Sequence, residues 1–288
     1  MRIIDRLYHT VAEKGHVCLG LDTDISYIPP DFRNKFDSDG EAVLAFNREI
    51  IDSTLDVTAV YKVQIAYYEA LGTEGLRAYA GTMRYLRDKK AISIGDIKRG
   101  DIAKTAEMYA RAHFSGEFEA DFITVNPFMG MDTLQPFFPY LKTGEKGVFA
   151  LVATSNPGAG DIEGIVAADG ESVSEKTGSM LSELGRAFTG ECGYTAIGAV
   201  VGCTNRHQTV RIRQRLSNMF FLIPGYGAQG GTAGDIKDYL RDGNGGVVNS
   251  SRGILLARSK EQWKHLDFAA AARAETIRMR DDIVNAIG

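Results

Sequence analysis

Asp96 and Lys98 stand two residues apart at the end of the run Ile92-Ser-Ile-Gly-Asp-Ile-Lys-Arg-Gly-Asp-Ile102, and Asp101 follows after one glycine. In an extended strand a spacing of two puts both side chains on one face, with Ile92 and Ile94 behind them. The segment reads as a buried strand that delivers an acid, a lysine and a second acid to one small volume. Charges of alternating sign can persist there because pairing offsets a desolvation that a lone charge could not bear. A fixed cation beside an acid suits stabilisation of a developing charge and delivery of a proton. The same residues also fit a structural ion pair, with Asp101 as a helix N-cap.

Further residues of this kind recur after other apolar runs. Asp22 closes the run 17–22, Lys62 lies near the end of 57–63, and Asn126 follows 120–125. Thr154 and Ser155 end the run 147–154. Three more runs occupy 195–201, 220–224 and 246–251. Between them lie segments of helical period: 40–56, 72–86, 101–114, 131–141, 173–188, a helix starting near Thr204, 232–240 and a closing helix over 263–287. A short amphipathic helix is expected at 2–14 and an extra turn at 254–257. The runs are apolar throughout rather than alternating, as in strands covered on both faces.

Eight strand–helix units without a linker predict one domain over 1–288, a (β/α)8 TIM barrel of the α/β class. An open doubly wound sheet would want a glycine fingerprint after the first strand. Asp22-Thr-Asp24 and a proline loop stand there instead. In a barrel the C-terminal strand ends form the active site. Asp22, Lys62, Asp96 and Lys98 therefore read as one polar cluster over an apolar floor. The glycine-rich, acidic stretch 156–172 reads as a mobile surface loop.

A second feature follows the seventh strand: Pro224-Gly-Tyr-Gly-Ala-Gln-Gly-Gly231. Glycines there can free backbone N–H groups for an anion, and a helix beginning near Thr232 would add its positive end. The eighth strand ends in Asn249-Ser-Ser-Arg-Gly253, where Arg252 can clamp a phosphate. A phosphate site built from the loops after strands seven and eight is a habit of this fold. The pair of features predicts a substrate bearing a phosphate monoester.

Composition narrows the field. The chain has 288 residues, 44% of them hydrophobic, as in ordinary globular proteins. Thirty-three basic against 37 acidic residues leave a net charge of -4, which argues against a general nucleic-acid binder. Cys18, Cys192 and Cys203 match no metal knuckle or redox pair, so a reducing compartment, the cytoplasm, is expected. No signal-peptide core and no run able to span a bilayer is present. None of the five histidines has ligand spacing: His16 precedes the first strand, and His9, His113, His207 and His265 are expected in helices. Asp22, Asp96 and Asp101 could still hold a hard cation such as magnesium, although Lys62 and Lys98 already bring positive charge.

The stretch Asp96-Ile-Lys98-Arg-Gly-Asp101 resembles the Asp-x-Lys-x-x-Asp signature of orotidine 5'-phosphate decarboxylases. The likeness extends over nearly the whole chain, through Asp22, Lys62, Thr154-Ser-Asn-Pro157, the Pro-Gly-x-Gly-x-Gln-Gly run from 224 to 230, and Arg252. It is strongest to the longer bacterial subgroup. The short motif also occurs in magnesium-dependent phosphosugar enzymes, such as 3-keto-L-gulonate 6-phosphate decarboxylase and hexulose-6-phosphate synthase. The resemblance implies conversion of orotidine 5'-phosphate to uridine 5'-phosphate and carbon dioxide, without metal or organic cofactor. It implies a homodimer in which Asp101, Ile102 and Thr105 reach the neighbouring subunit's site. Lys98, Asp96, Lys62 and Asp101 would be catalytic. Asp22, Lys62, Asp101, Ile102 and Thr105 would meet the ribose, Thr154 and Ser155 the pyrimidine, and Gln229, Gly230 and Arg252 the phosphate. Two alternatives stand beside it: a magnesium-dependent phosphosugar lyase, and a nucleotide-binding protein that has lost the chemistry.

Overall fold

Strands form where the chain is apolar without interruption, and their ends carry the charges. A computed structural model describes residues 1–203, 206–227 and 230–288, with only the backbone course for 206–209. Among the described residues, eight parallel strands close a barrel in sequence order. They are β1 (Val17–Gly20), β2 (Val60–Gln64), β3 (Ser93–Arg99), β4 (Phe122–Val125), β5 (Gly147–Ala153), β6 (Thr195–Val201), β7 (Met219–Ile223) and β8 (Gly246–Ser250). Closure comes from β8 pairing with β1, Val17 opposite Val248. The fold is the expected (β/α)8 barrel.

Side chains alternate between two cores, as strand period two requires. Cys18, Val60, Ile94, Phe122, Phe149, Phe220 and Val247 pack inside the barrel. Ile3, Ile4, Leu7 and Val11, from the helix Ile3–Lys14, belong to the same cluster and plug the end where the strands start. Leu19, Tyr61, Val63, Ile123 and Val125 face outward into the core beneath the surrounding helices. Residues two further along the inward series leave the apolar plug behind: Lys62 follows Val60, Asp96 follows Ile94, Thr124 follows Phe122. Period two therefore places polar groups at the mouth directly above a dry floor. The last helix, Phe268–Ile287, closes the ring by packing on Asp39–Thr54, with Phe268 stacked on Phe46 at 4.7 Å between ring centres.

Several elements differ from their sequence expectation. The expected helix over 131–141 is a 3-10 turn, Met131–Phe137, running into Phe138–Lys142. Pro136 and Pro139 lack the N–H groups that an α-helical ladder needs. The closing helix starts at Phe268 rather than 263, because the Asp267 carboxylate accepts from Ala270 N at 2.7 Å and caps it there. His265 consequently lies in a turn and not in a helix. The segment over 232–240 holds one α turn, Ala233–Ile236, then a 3-10 turn, Lys237–Tyr239. The helix expected near Thr204 is described as Arg206–Arg215, and Thr204 itself lies outside the described residues. Among the described residues no helix is long and apolar enough to cross a membrane.

Candidate active site

Four charges alternate across the mouth of the barrel. Lys62 Nζ lies 2.8 Å from Asp22 Oδ1 and 3.0 Å from Asp96 Oδ2. Lys98 Nζ lies 2.6 Å from Asp96 Oδ1. Asp22 comes just after β1, Lys62 from β2, and Asp96 and Lys98 from β3, so adjacent strands supply neighbouring charges. Lys62 and Asp96 are only 4% and 5% exposed, whereas the Lys98 side chain is 46% exposed and faces the opening. Asp22 is held from its other side by Ser251, whose Oγ donates to Asp22 Oδ2 at 2.8 Å. Ser251 follows β8, the other neighbour of β1.

The Asp96 carboxylate accepts four hydrogen bonds. Beside the two lysines, Gln64 Nε2 donates to Oδ2 at 2.9 Å and Thr124 Oγ1 donates to Oδ1 at 2.8 Å. Both oxygens are fully engaged, which fixes the orientation of the carboxylate. Lys98 arrives by a different route from the one expected. Regular alternation carries the strand only to Asp96. At Lys98 the backbone turns left-handed, with φ at +45°, and the pairing of β3 with β4 shifts register between Gly95 and Arg99. This turn, not strand period, folds the lysine back onto Asp96. The helix-cap reading of Asp101 also fails: the helix is Ala103–Phe114, its N-cap is Ile102, and the Asp101 carboxylate accepts only from the next amide, Ile102 N, at 2.8 Å.

Burial opposes ionisation of Asp96, but the charges of Lys62 and Lys98 and their hydrogen bonds outweigh it and hold the carboxyl far below the usual range. Burial likewise works against a charged Lys62, and the Asp22 and Asp96 carboxylates overcome it, holding the ammonium above the ordinary lysine range. Asp96 and Lys62 therefore stay charged over the whole physiological range. Cys18, beneath it, is pushed up chiefly by burial and stays a thiol.

Above the cluster opens a cavity of about 1090 Å³, lined by Lys62, Asp96, Lys98 and Thr124 at its floor. Asn126, Thr154, Ser155, Asn156 and Asn249 add neutral polar groups, and Val152, Val200, Leu222 and Pro224 an apolar wall. A volume of this order holds a nucleotide-sized ligand. Part of the wall is the segment 156–172, which carries a 3-10 turn, Pro157–Asp161, and a bridge between Val166 and Ser172. It is tied to the barrel through Glu163, whose carboxylate accepts from Thr154 N at 2.8 Å and Thr154 Oγ1 at 2.7 Å. Replacing Glu163 with alanine removes both bonds. A nonspecific protease should then nick 156–172 several times faster than in the wild type, with the rest of the chain intact. An unchanged nicking rate would mean that other contacts hold the segment.

The glycine loop after β7 is built differently from its sequence expectation. Gly225, Gly227 and Gly230 have φ of +103°, +71° and +93°, values that favour glycine. Their freedom serves the loop itself: Gly227 N donates to Gly231 O at 2.9 Å and Gly230 N to Gly227 O at 3.1 Å. Those amides are not free to converge on an anion in this arrangement. The helix that follows is a single turn, and Asp235 takes the Thr232 N–H and hydroxyl, so little positive end remains. Gln229 lies outside the described residues. Arg252 starts the short helix Arg252–Leu255 at the exposed rim, beyond the cavity wall. Asp101, Ile102 and Thr105 also lie outside the lining of this cavity, with Ile102 52% exposed.

The structure thus unites Asp22, Lys62, Asp96 and Lys98, and gathers Thr154 and Ser155 at the same cavity. It leaves Arg252, Asp101, Ile102 and Thr105 outside. Sequence reasoning passed over Gln64, Thr124, Glu163 and Ser251. Gln64 stood two residues after Lys62, and Thr124 was the polar member of Phe-Ile-Thr-Val two before Asn126. Strand period puts both on the inward face but does not give their bonds to Asp96. Glu163 sits in an irregular loop with no period to read.

The chain is similar to known proteins throughout its length. The model of the family described as Orotidine 5'-phosphate decarboxylase / HUMPS family matches residues 15–265. A Clostridium acetobutylicum protein named orotidine 5'-phosphate decarboxylase is 59% identical over 281 residues, 98% of either chain. Its namesake from Clostridium kluyveri is 57% identical over 282 residues, 98% of this chain and 97% of the relative. Among solved structures, Leishmania donovani OMP decarboxylase superposes with a TM-score of 0.80 at 29% identity, over 100% of this chain and 99% of that one. Leishmania donovani UMP synthase superposes with a TM-score of 0.82 at 31% identity; this chain spans all of its own length and 56% of that longer chain. With the alternating charges at the mouth of a closed barrel, a match over nearly all the sequence and relatives of equal length, this chain belongs to the orotidine 5'-phosphate decarboxylase / HUMPS family.

Proposed function

We propose that the charged array carries out the reaction its relatives are named for: the chain is a lyase that converts orotidine 5'-phosphate to uridine 5'-phosphate and carbon dioxide, the last step of UMP synthesis. The observation that carries this reading is the run Asp22–Lys62–Asp96–Lys98, joined at 2.8, 3.0 and 2.6 Å, whose last three members line the floor of the cavity. The bond from C6 of the pyrimidine to the carboxylate breaks, its electron pair stays on C6, and carbon dioxide leaves. That pair lies in the ring plane, where the ring cannot delocalise it well. A cation already fixed beside C6 stabilises it without reorganisation. Lys98 is that cation, and one of its N–H protons passes to C6 to complete the product. The neutral amine left behind regains a proton from water. Asp96 sits where the departing carboxylate stands, and repulsion between them falls as the carboxylate becomes neutral.

The remaining roles follow the same reading. Lys62 and Asp22 bind ribose hydroxyls, and Thr154 and Ser155 meet the pyrimidine. Arg252 and Gln229 grip the phosphate, Gly230 gives the loop its turn rather than a free donor, and that remote binding contributes to lowering the barrier. Asp101, Ile102 and Thr105 complete the site of a second copy in a homodimer. The exposure of Ile102 and Thr105, and the place of all three outside the lining of the cavity, support it. The three cysteines are free thiols, which suits the cytoplasm. The cation between Asp22 and Asp96 is the Lys62 ammonium, so the array needs no divalent ion to balance it.

The test follows the ultraviolet absorbance of orotidine 5'-phosphate with purified protein, with and without EDTA. Conversion to uridine 5'-phosphate that resists EDTA is expected. Inactivity toward this substrate, with turnover of a sugar phosphate only when magnesium is supplied, would hand the site to the phosphosugar branch of the family.

A further inference from the structure

Thr124 is neither charged nor a ligand in the reading above, yet it touches both Asp96 and Lys98 of β3. Its Oγ1 accepts from Ile97 N and from Lys98 N, each at 2.9 Å. A hydroxyl has two lone pairs and one proton. With both lone pairs given to backbone amides, the proton has one direction left, toward Asp96 Oδ1 at 2.8 Å. The residue is 1% exposed, so no solvent competes for these bonds. They meet at the point where the chain leaves strand geometry, since Lys98 N belongs to the residue with φ at +45°. A lysine in that region is strained, and it persists only where the surroundings hold it.

We infer that Thr124 is a positioning residue of the reaction, whose hydroxyl pins the left-handed turn at Lys98 and orients the Asp96 carboxylate, so that the Lys98 ammonium stands over the cavity floor. The inference rests on the decarboxylase reading for its effect on turnover and on the geometry alone for its effect on Lys98. Without the hydroxyl, the Ile97 and Lys98 amides lose a buried acceptor, Asp96 loses a donor, and the turn relaxes toward extended strand. The substrate's phosphate and ribose contacts lie elsewhere, so binding should suffer less than chemistry.

The test compares Thr124→Val, which keeps the shape, with Thr124→Ser, which keeps the hydroxyl. For each, kcat and KM with orotidine 5'-phosphate are measured beside the thermal midpoint and the rate at which acetic anhydride acetylates Lys98, read by peptide mass. Thr124→Val should lower kcat about 10²-fold, the scale of a misplacement of roughly 1 Å, with KM little changed. Its Lys98 should acetylate faster, released from Asp96. Thr124→Ser should restore both. Wild-type kcat and labelling in a folded Thr124→Val, or a Thr124→Ser as impaired as Thr124→Val, would overturn the inference. Should Thr124→Val not fold, Thr124→Ala carries the same comparison. Wild-type protein that does not turn over the substrate would sink the decarboxylase reading instead, and the acetylation rates would still decide on Thr124.

Discussion

Replacing Lys98 with alanine should lower kcat by about 10⁴-fold or more, because in the proposed mechanism one side chain supplies both the fixed cation and the proton. The barrel should survive. Lys98 is the one member of the array with a half-exposed side chain, and an ion pair at that exposure contributes less than about 1 kcal/mol. Asp96 keeps Lys62, Gln64 and Thr124 as partners when Lys98 is gone. Substrate should still bind, since the phosphate and ribose contacts are separate from C6. The measurement is absorbance-followed turnover beside a urea unfolding curve. A folded Lys98→Ala enzyme with near wild-type turnover would remove Lys98 from the chemistry.

The second large effect concerns stability as much as activity. Asp96→Asn keeps the volume and loses the charge between two ammonium groups. Lys62, 4% exposed, then retains only Asp22. Breaking a buried pair from one side costs about 3–5 kcal/mol when the remaining charge is left unpaired, and the retained Asp22 keeps the loss at Lys62 below that range. Turnover should fall together with the urea midpoint. The pH dependence has a definite sign. The folded Asp96 carboxyl is held below its unfolded value, so the unfolded chain binds the extra proton as pH falls. The advantage of wild type over Asp96→Asn is complete above the unfolded aspartate value of about 3.9 and shrinks as the medium becomes more acid. Lys62 has the opposite sign: its value is raised, so its contribution is complete below the unfolded lysine value of about 10.4 and is lost in strong alkali. Equal stability of wild type and Asp96→Asn near neutrality would show that the array stores no stability of this kind.

Much of this was legible before any coordinates. The eight apolar runs became eight strands, and Lys62 and Asp96 met because both lie on the inward series of adjacent strands. Period two is local, and a local rule can be read from a string of letters. The rule stopped where the backbone stopped obeying it. Continued strand would put Lys98 beside Asp96 by period alone, and it is there through a left-handed turn that Thr124 braces from β4. The glycines after β7 were assigned free amides, whereas those of Gly227 and Gly230 bond within the loop.

By itself, then, the sequence determined the barrel of strand–helix units and the identity of the four charges at its mouth. Each depends on hydrophobic period and on which residue ends each run. Only the tertiary structure decided what holds those charges in place: Gln64 and Thr124 on Asp96, Ser251 on Asp22, and Glu163 tying the segment 156–172 to Thr154. Three of these four contacts join residues more than 25 positions apart in the chain, and the fourth comes from an irregular loop. A hydrogen bond depends on ångström distances between side chains that only barrel closure brings together, and no local period encodes them.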